Sequence, residues 1–224
     1  VTISEIIEQP HPVLDKILKN CEKQIENSKW HVSQPLSDHL LKTKQEVKKI
    51  INSLGIKYLD YLDQIVDQNS KKDLLILVGL LHDIGKDVKG IRSEMDEIYD
   101  PLKKGIKLKK TSYIGHEKAG GIAVISILEE IGFSKKEVEY VSQFIANHDY
   151  VHQAADAIFN GANRSESIQI CKKQVDSLYP ELLLQSLADM RSGTLDLVDK
   201  TEFSFKEILL LELIQEQEQF GFTI

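Results

Sequence analysis

The sequence predicts an all-α fold, a bundle of helices around one core. Three observations carry that expectation. Apolar residues recur at three- and four-residue spacing, as in Leu36, His39, Leu40, Thr43, Val47 and Ile50, which places them on one helical face. Helix-start signals accompany them: Ser70 with Asp73, and Ser134 with Glu137, each a serine followed three residues on by an acid. No stretch shows sustained period-two alternation, the mark of a half-buried strand, and no repeat of fixed period is present.

The elements follow in order. Val13 to Ile25 reads as an amphipathic helix after a loop at Pro10-His11-Pro12, and Trp30 to Pro35 as a connection. A helix runs from Pro35 through Ile51, a short one from Tyr58 to Val66, and then a very apolar one, Leu74-Leu75-Ile76-Leu77-Val78-Gly79-Leu80-Leu81. That helix ends in His82-Asp83-Ile84-Gly85-Lys86, and an ionised Asp in such a setting costs several kcal/mol (~) unless a cation compensates it. Between Asp87 and Gly115 the pattern dissolves into a loop with Lys103, Lys104, Lys107, Lys109 and Lys110 in its second half. Either a solvated face or an anion contact accounts for such a lysine run. Gly115-His116-Glu117 opens the next helix, with His116, Ala119, Ala123 and Ile127 aligned. The following helix buries Val138, Val141, Ile145 and His148, and Ala154 to Asn163 reads as irregular. Pro180 starts a helix with Leu182, Ser186 and Asp189 on one side, closed near Gly193. The last helix, capped by Ser204 and Glu207, is expected to turn Ile208, Leu211 and Ile214 inward and Gln215 to Gln219 to water.

The chain of 224 residues divides on this reading into an N-terminal helical extension (1–34), a main domain (35–200, with the lysine-rich insert at about 87–115) and a C-terminal helix (201–224). A net charge of -7 argues against general nucleic-acid binding. Cys21 and Cys171 are isolated, so neither a zinc ribbon nor a disulfide framework is indicated, and a cytoplasmic setting is expected. The run Leu74 to Leu81 is far short of the roughly 20 residues of a membrane span, and no signal peptide precedes it. The Phe-rich end (Phe203, Phe205, Phe220, Phe222) is a surface that a neighbour could cover.

His39, His82 with Asp83, His116, His148 and Asp189 bring polar groups to buried faces of separate helices. Packing alone explains such repetition poorly, whereas a metal centre compensates all of them together. Imidazoles and carboxylates without a thiolate suit manganese, iron, cobalt, nickel or zinc, and six ligands exceed the usual need of one ion. A carboxylate such as Asp83 can bridge two.

His39, the His82-Asp83 doublet and Asp189, in that order on helices, resemble the HD-domain metal-dependent phosphohydrolases. The added His116 and His148 resemble members with a two-metal site. More narrowly, Leu81-His82-Asp83-Ile84-Gly85-Lys86, Gly115-His116-Glu117-x-x-Gly120 and Ala188-Asp189-Met190-Arg191 look like the HD domain of bacterial tRNA nucleotidyltransferases. The nucleotidyltransferase head has no counterpart in these residues, so only the hydrolase-like half of that likeness applies. The resemblance covers roughly Pro35 to Gly193. It implies an HD-domain helical bundle with a metal site between core helices. His39, His82, Asp83 and Asp189 would hold one divalent ion, and Asp83, His116 and His148 a second. His31 competes with the preferred His39, His152 with His148, and Asp149 is a candidate for orienting a ligand imidazole.

The activity implied is hydrolysis of a small phosphorylated substrate, a nucleotide or related phosphoester, with an RNA end as another candidate. Asp83 and Lys86 are the catalytic candidates, and Lys86, Arg191, Lys109 and Lys110 the substrate-binding ones. Lys86 has a second reading, as a solvated lysine complementing the helix dipole. The same ligand set also serves HD-fold di-iron oxygenases acting on small organic substrates, and a non-catalytic domain that keeps metal for stability is a third reading.

Overall fold

The computed structural model describes Ile3, Ile6 and residues 11–222; the rest of residues 1–10 in the expected extension, and residues 223–224, lie outside the described residues. The chain is mainly helical. Helix α1 (Pro12–Cys21) leads to a small hairpin, β1 (Ile25–Asn27) and β2 (Val32–Pro35), and then to α2 (Leu36–Asn52), α3 (Ile56–Leu62) and α4 (Lys71–Leu81). A 3₁₀ turn (Ile84–Asp87) and a second hairpin, β3 (Ser93–Tyr99) and β4 (Lys107–Ser112), precede α5 (His116–Ile131), α6 (Lys135–Asn147), α7 (Asp149–Phe159) and α8 (Arg164–Val175). The chain ends with α9 (Tyr179–Ser192), the short α10 (Leu195–Val198) and α11 (Lys200–Phe220).

Helix α4 sits at the centre because it is apolar all round. Leu74, Leu75, Leu77, Val78, Leu80 and Leu81 are all buried, which requires neighbours on every side. Helices α2, α9 and α6 pack against it, while α9 also packs against α2 and α11. The Ser70 hydroxyl caps α4 by accepting from the Asp73 N–H, and Ser134 with Glu137 forms a full capping box on α6. No helix among the described residues is long and apolar enough to cross a membrane.

Several expectations shift. Both hairpins were silent in the sequence pattern: β1 pairs antiparallel with β2, and β3 with β4. Strand β3 reads Ser-Glu-Met-Asp-Glu-Ile-Tyr and is exposed along nearly its whole length, so no buried face imposes alternation on it. The helix expected over 13–25 stops at Cys21, and Ile25 enters β1. The Tyr58 to Val66 helix lies at Ile56–Leu62. Ala154 to Asn163 is not irregular, because α7 runs through its alanines to Phe159 and α8 starts at Arg164.

On α5 the buried set is Gly120, Gly121, Val124, Leu128 and Ile131, while His116, Ala119, Ala123 and Ile127 are only half-buried. A Cβ on Gly121 would lie 2.9 Å from the Ala146 Cβ, so close approach to α6 turns the glycines inward. Helix α11 starts earlier than expected, capped by the Asp199 carboxylate, and buries Leu209, Leu210, Leu213, Ile214 and Gln217. Ile208 and Leu211 are exposed instead. Phe222 is spent within the chain, stacked on the Tyr61 ring at 4.3 Å.

Candidate metal centre

The centre forms where helices end. Helix α4 stops at Leu81; His82 is its C-cap, and Asp83 (φ -103°, ψ 10°) turns the chain into the 3₁₀ segment. Gly85 lets that turn press against the start of α5: a Cβ there would lie 1.9 Å from the His116 carbonyl oxygen and 2.6 Å from the Gly120 nitrogen. His116 is the first residue of α5, after Gly115 in the left-handed region at φ 82°. His39 comes from the start of α2, His148 from the junction of α6 and α7, and Asp189 from α9.

Three imidazoles are oriented by backbone carbonyls three residues upstream. Nδ1 of His82 lies 3.3 Å from the Gly79 oxygen, Nδ1 of His116 2.9 Å from that of Tyr113, and Nδ1 of His148 2.7 Å from that of Ile145. A nitrogen facing a carbonyl carries the proton, which leaves the Nε2 lone pair to point inward.

Those inward atoms face one another. Nε2 of His39 is 3.2 Å from Nε2 of His82, and both approach Asp189 Oδ1, at 3.0 and 3.6 Å. Nε2 of His116 is 3.3 Å from Nε2 of His148. Asp83 lies between the pairs. Its Oδ2 is 3.4 Å from both His39 and His82, and its Oδ1 is 3.0 Å from His116 and 3.4 Å from His148. Two donors each about 2.1 Å from one ion lie about 3.0 Å apart at a right angle and about 3.4 Å apart at the tetrahedral angle. The observed spacings fall close to those values. Asp83 Oδ1 is buried with no hydrogen-bond donor of its own, and lone pairs opposed at this range repel unless a cation lies between them. The residues therefore fit divalent metal, and the groups that could hold an ion include His39 with His82 and Asp189, and Asp83 with His116 and His148.

The electrostatics agree. Burial pushes the Asp83 carboxyl up, yet Lys86 and His82 outweigh it and hold it well below the usual range. Asp189 is likewise held low, burial being overcome by His82 and His152. Burial disfavours a charged His82, but Asp83 and Asp189 push its pKa up to about 10. The carboxylates recruit positive charge.

A cavity of about 470 Å³ opens onto this centre, lined among others by Asp83, Lys86, His116, His148 and Asp189. Lys86 is neither solvated nor free. It is 8% exposed, with Nζ 2.7 Å from Asp83 Oδ2 and 3.1 Å from Glu26 Oε1. Arg191 turns away: its Nε donates to Glu207 Oε1 at 2.8 Å, and it does not line the cavity. Lys109 and Lys110 are exposed on β4 and also lie outside the lining, which takes Thr111 and Ser112 from that strand instead.

Asp149 faces the inward nitrogens, 3.4 Å from His148 Nε2 and 4.0 Å from His116 Nε2, so it shares the ligand side rather than orienting a ring from behind. His152 bonds Asp189 Oδ2 at 3.0 Å and so steers Asp189 Oδ1 toward His39. Its spacing of one helical turn from His148 was the signal for it. His31 lies beside His39, ring centroids 4.3 Å apart, with Nδ1 held 2.8 Å from Gln34 Oε1. Glu26 gave no signal, because a three-residue strand has no period.

The family model described as HD domain matches residues 36–192, more than half of the chain and the stretch that carries every one of the four inward imidazoles and both aspartates. No curated protein matches the chain.

Proposed function

Because the chain belongs to the HD-domain superfamily of metal-dependent phosphohydrolases, we propose that it hydrolyses a phosphoester of a nucleotide or related small molecule at a binuclear centre. His39, His82, Asp83 and Asp189 hold one ion on this reading, and Asp83, His116 and His148 the other. One observation carries it: the two oxygens of Asp83 face two separate imidazole pairs, as a bridging carboxylate does. Bound divalent ions supply an acidified water near neutral pH and neutralise charge on the phosphoryl oxygens.

The chain's own residues do the rest. The backbone carbonyls of Gly79, Tyr113 and Ile145 keep three imidazoles in the ligating tautomer. His152 fixes Asp189. Lys86 brings the cavity a cation already shared by two carboxylates. The cavity's size suits a small-molecule ester, since such sites run from about 300 to 1,000 Å³.

The test is metal identity and stoichiometry by mass spectrometry on protein purified without chelator or affinity nickel, followed by a screen of nucleoside monophosphates, cyclic phosphates and model phosphodiesters with Mn²⁺, Co²⁺ or Ni²⁺. About two ions per chain and metal-dependent phosphate release are expected. Protein that neither carries nor takes up metal, or iron alone with a mixed-valence signal and no phosphoester turned over, would overturn the reading.

A further inference from the structure

Asp83 Oδ2 is contested. It faces His39 and His82 across 3.4 Å, but its nearest charged neighbour is the Lys86 ammonium at 2.7 Å. An ammonium held there by Asp83 alone would repel a divalent ion and occupy the oxygen it needs. Lys86 is not held by Asp83 alone. Glu26, 2% exposed on β1, places Oε1 and Oε2 at 3.1 and 3.2 Å from the same nitrogen. The other close group is His31, whose Nε2 is 3.5 Å from Glu26 Oε2. Glu26 lies outside the HD match, which begins at residue 36. It reaches the centre because β1 packs against β4, where Thr111 Oγ1 accepts from the Asn27 N–H.

We infer that Glu26 is a positioning residue of the metal centre: it draws the Lys86 ammonium off Asp83 and keeps the bridging carboxylate open to metal ions. This rests on the binuclear reading above. The physical reason is charge distribution. A buried ammonium needs a carboxylate partner, and a second carboxylate from outside the domain lets Lys86 remain paired when Asp83 turns its charge to the ions. Removing Glu26 leaves Lys86 one partner only, and that partner is the ligand.

The experiment is calorimetric titration of the full chain with Mn²⁺, for wild type, Glu26→Gln, Lys86→Met and the double variant, with melting curves to establish folding. Glu26→Gln should weaken Mn²⁺ binding about tenfold, the scale of losses when a group supporting a ligand is removed. Adding Lys86→Met should restore it, because the competing ammonium is gone. Unchanged affinity in Glu26→Gln overturns the inference, and so does a loss that persists in the double variant, which would make Glu26 act by its own charge or by packing. Should Glu26→Gln fail to fold, Glu26→Asp keeps the charge at longer reach and should show a smaller loss; unchanged affinity there overturns it equally. Wild type that binds no Mn²⁺ overturns the proposed function along with the inference, whereas normal wild-type binding with an unaffected variant removes the inference alone.

Discussion

Glu137 and Asp83 are both buried carboxylates, 0% and 2% exposed, in opposite surroundings. Glu137 Oε1 accepts from the N–H groups of Gln68 and Asn69 and from the Asn69 amide, and Oε2 accepts from the Ser134 N–H. Its neighbours are all donors. Asp83 faces four imidazole nitrogens, three of them on rings whose other nitrogen is already taken by a backbone carbonyl, with one ammonium at its side. The first cluster is finished by the protein; the second is finished by a cation. Burial alone therefore does not mark a functional acid. A buried carboxylate oxygen left without a donor among converging imidazole nitrogens, as Asp83 Oδ1 is, does.

The sharpest way to break the comparison is to remove each acid. Asp83→Ala should lose both metal ions and all turnover while the chain stays folded, read by metal mass spectrometry, phosphate release and circular dichroism. Full turnover in that variant would refute the bridging role. Glu137→Ala should do the reverse, keeping its metal but losing about 3 kcal/mol of stability in denaturant unfolding, because several buried donors lose their acceptor.

The same residue makes a pH prediction. Burial raises the Glu137 pKa, but the donors of Asn69, Ser134 and Gln68 outweigh it and hold it below the ordinary value. Its contribution is therefore complete above the unfolded pKa of about 4.3 and is lost as pH falls through the lower folded value. The stability gap between wild type and Glu137→Gln should accordingly narrow as pH drops from about 6 to about 3. A constant gap would show that the charge is not what holds the connection between α3 and α4.

The smallest effect concerns the insert. Lys109→Ala and Lys110→Ala alter exposed charges outside the cavity lining, and should leave kcat/KM for a mononucleotide within about threefold, as expected for screened surface charges. A loss of a hundredfold would instead mean that the substrate extends over β4.

Much of the candidate centre was legible. His39, His82, His116 and His148 lie on helices or at their ends, where apolar spacing shows which face is buried. Asp189 follows Leu182 and Ser186 on such a face. Periodicity was less reliable where the neighbour decides the phase. Two glycines swing α5 by about a residue, and the inward face of α11 is Leu209, Leu210 and Leu213 rather than Ile208 and Leu211. The hairpins were illegible, one too short to show a period and the other too exposed to need one.

By itself the sequence determined a helical chain, the order of its main helices and the set of side chains rich enough in imidazole and carboxylate to hold metal, because apolar period and residue chemistry are local properties. Tertiary structure alone decided who meets whom. Lys86 is bound to Glu26, 60 positions away, His152 to Asp189, and Arg191 to Glu207 instead of the cavity. Those pairings depend on how closely separate elements approach, as when the missing side chain of Gly85 brings the Asp83 turn against α5, and no pattern within one element encodes that distance.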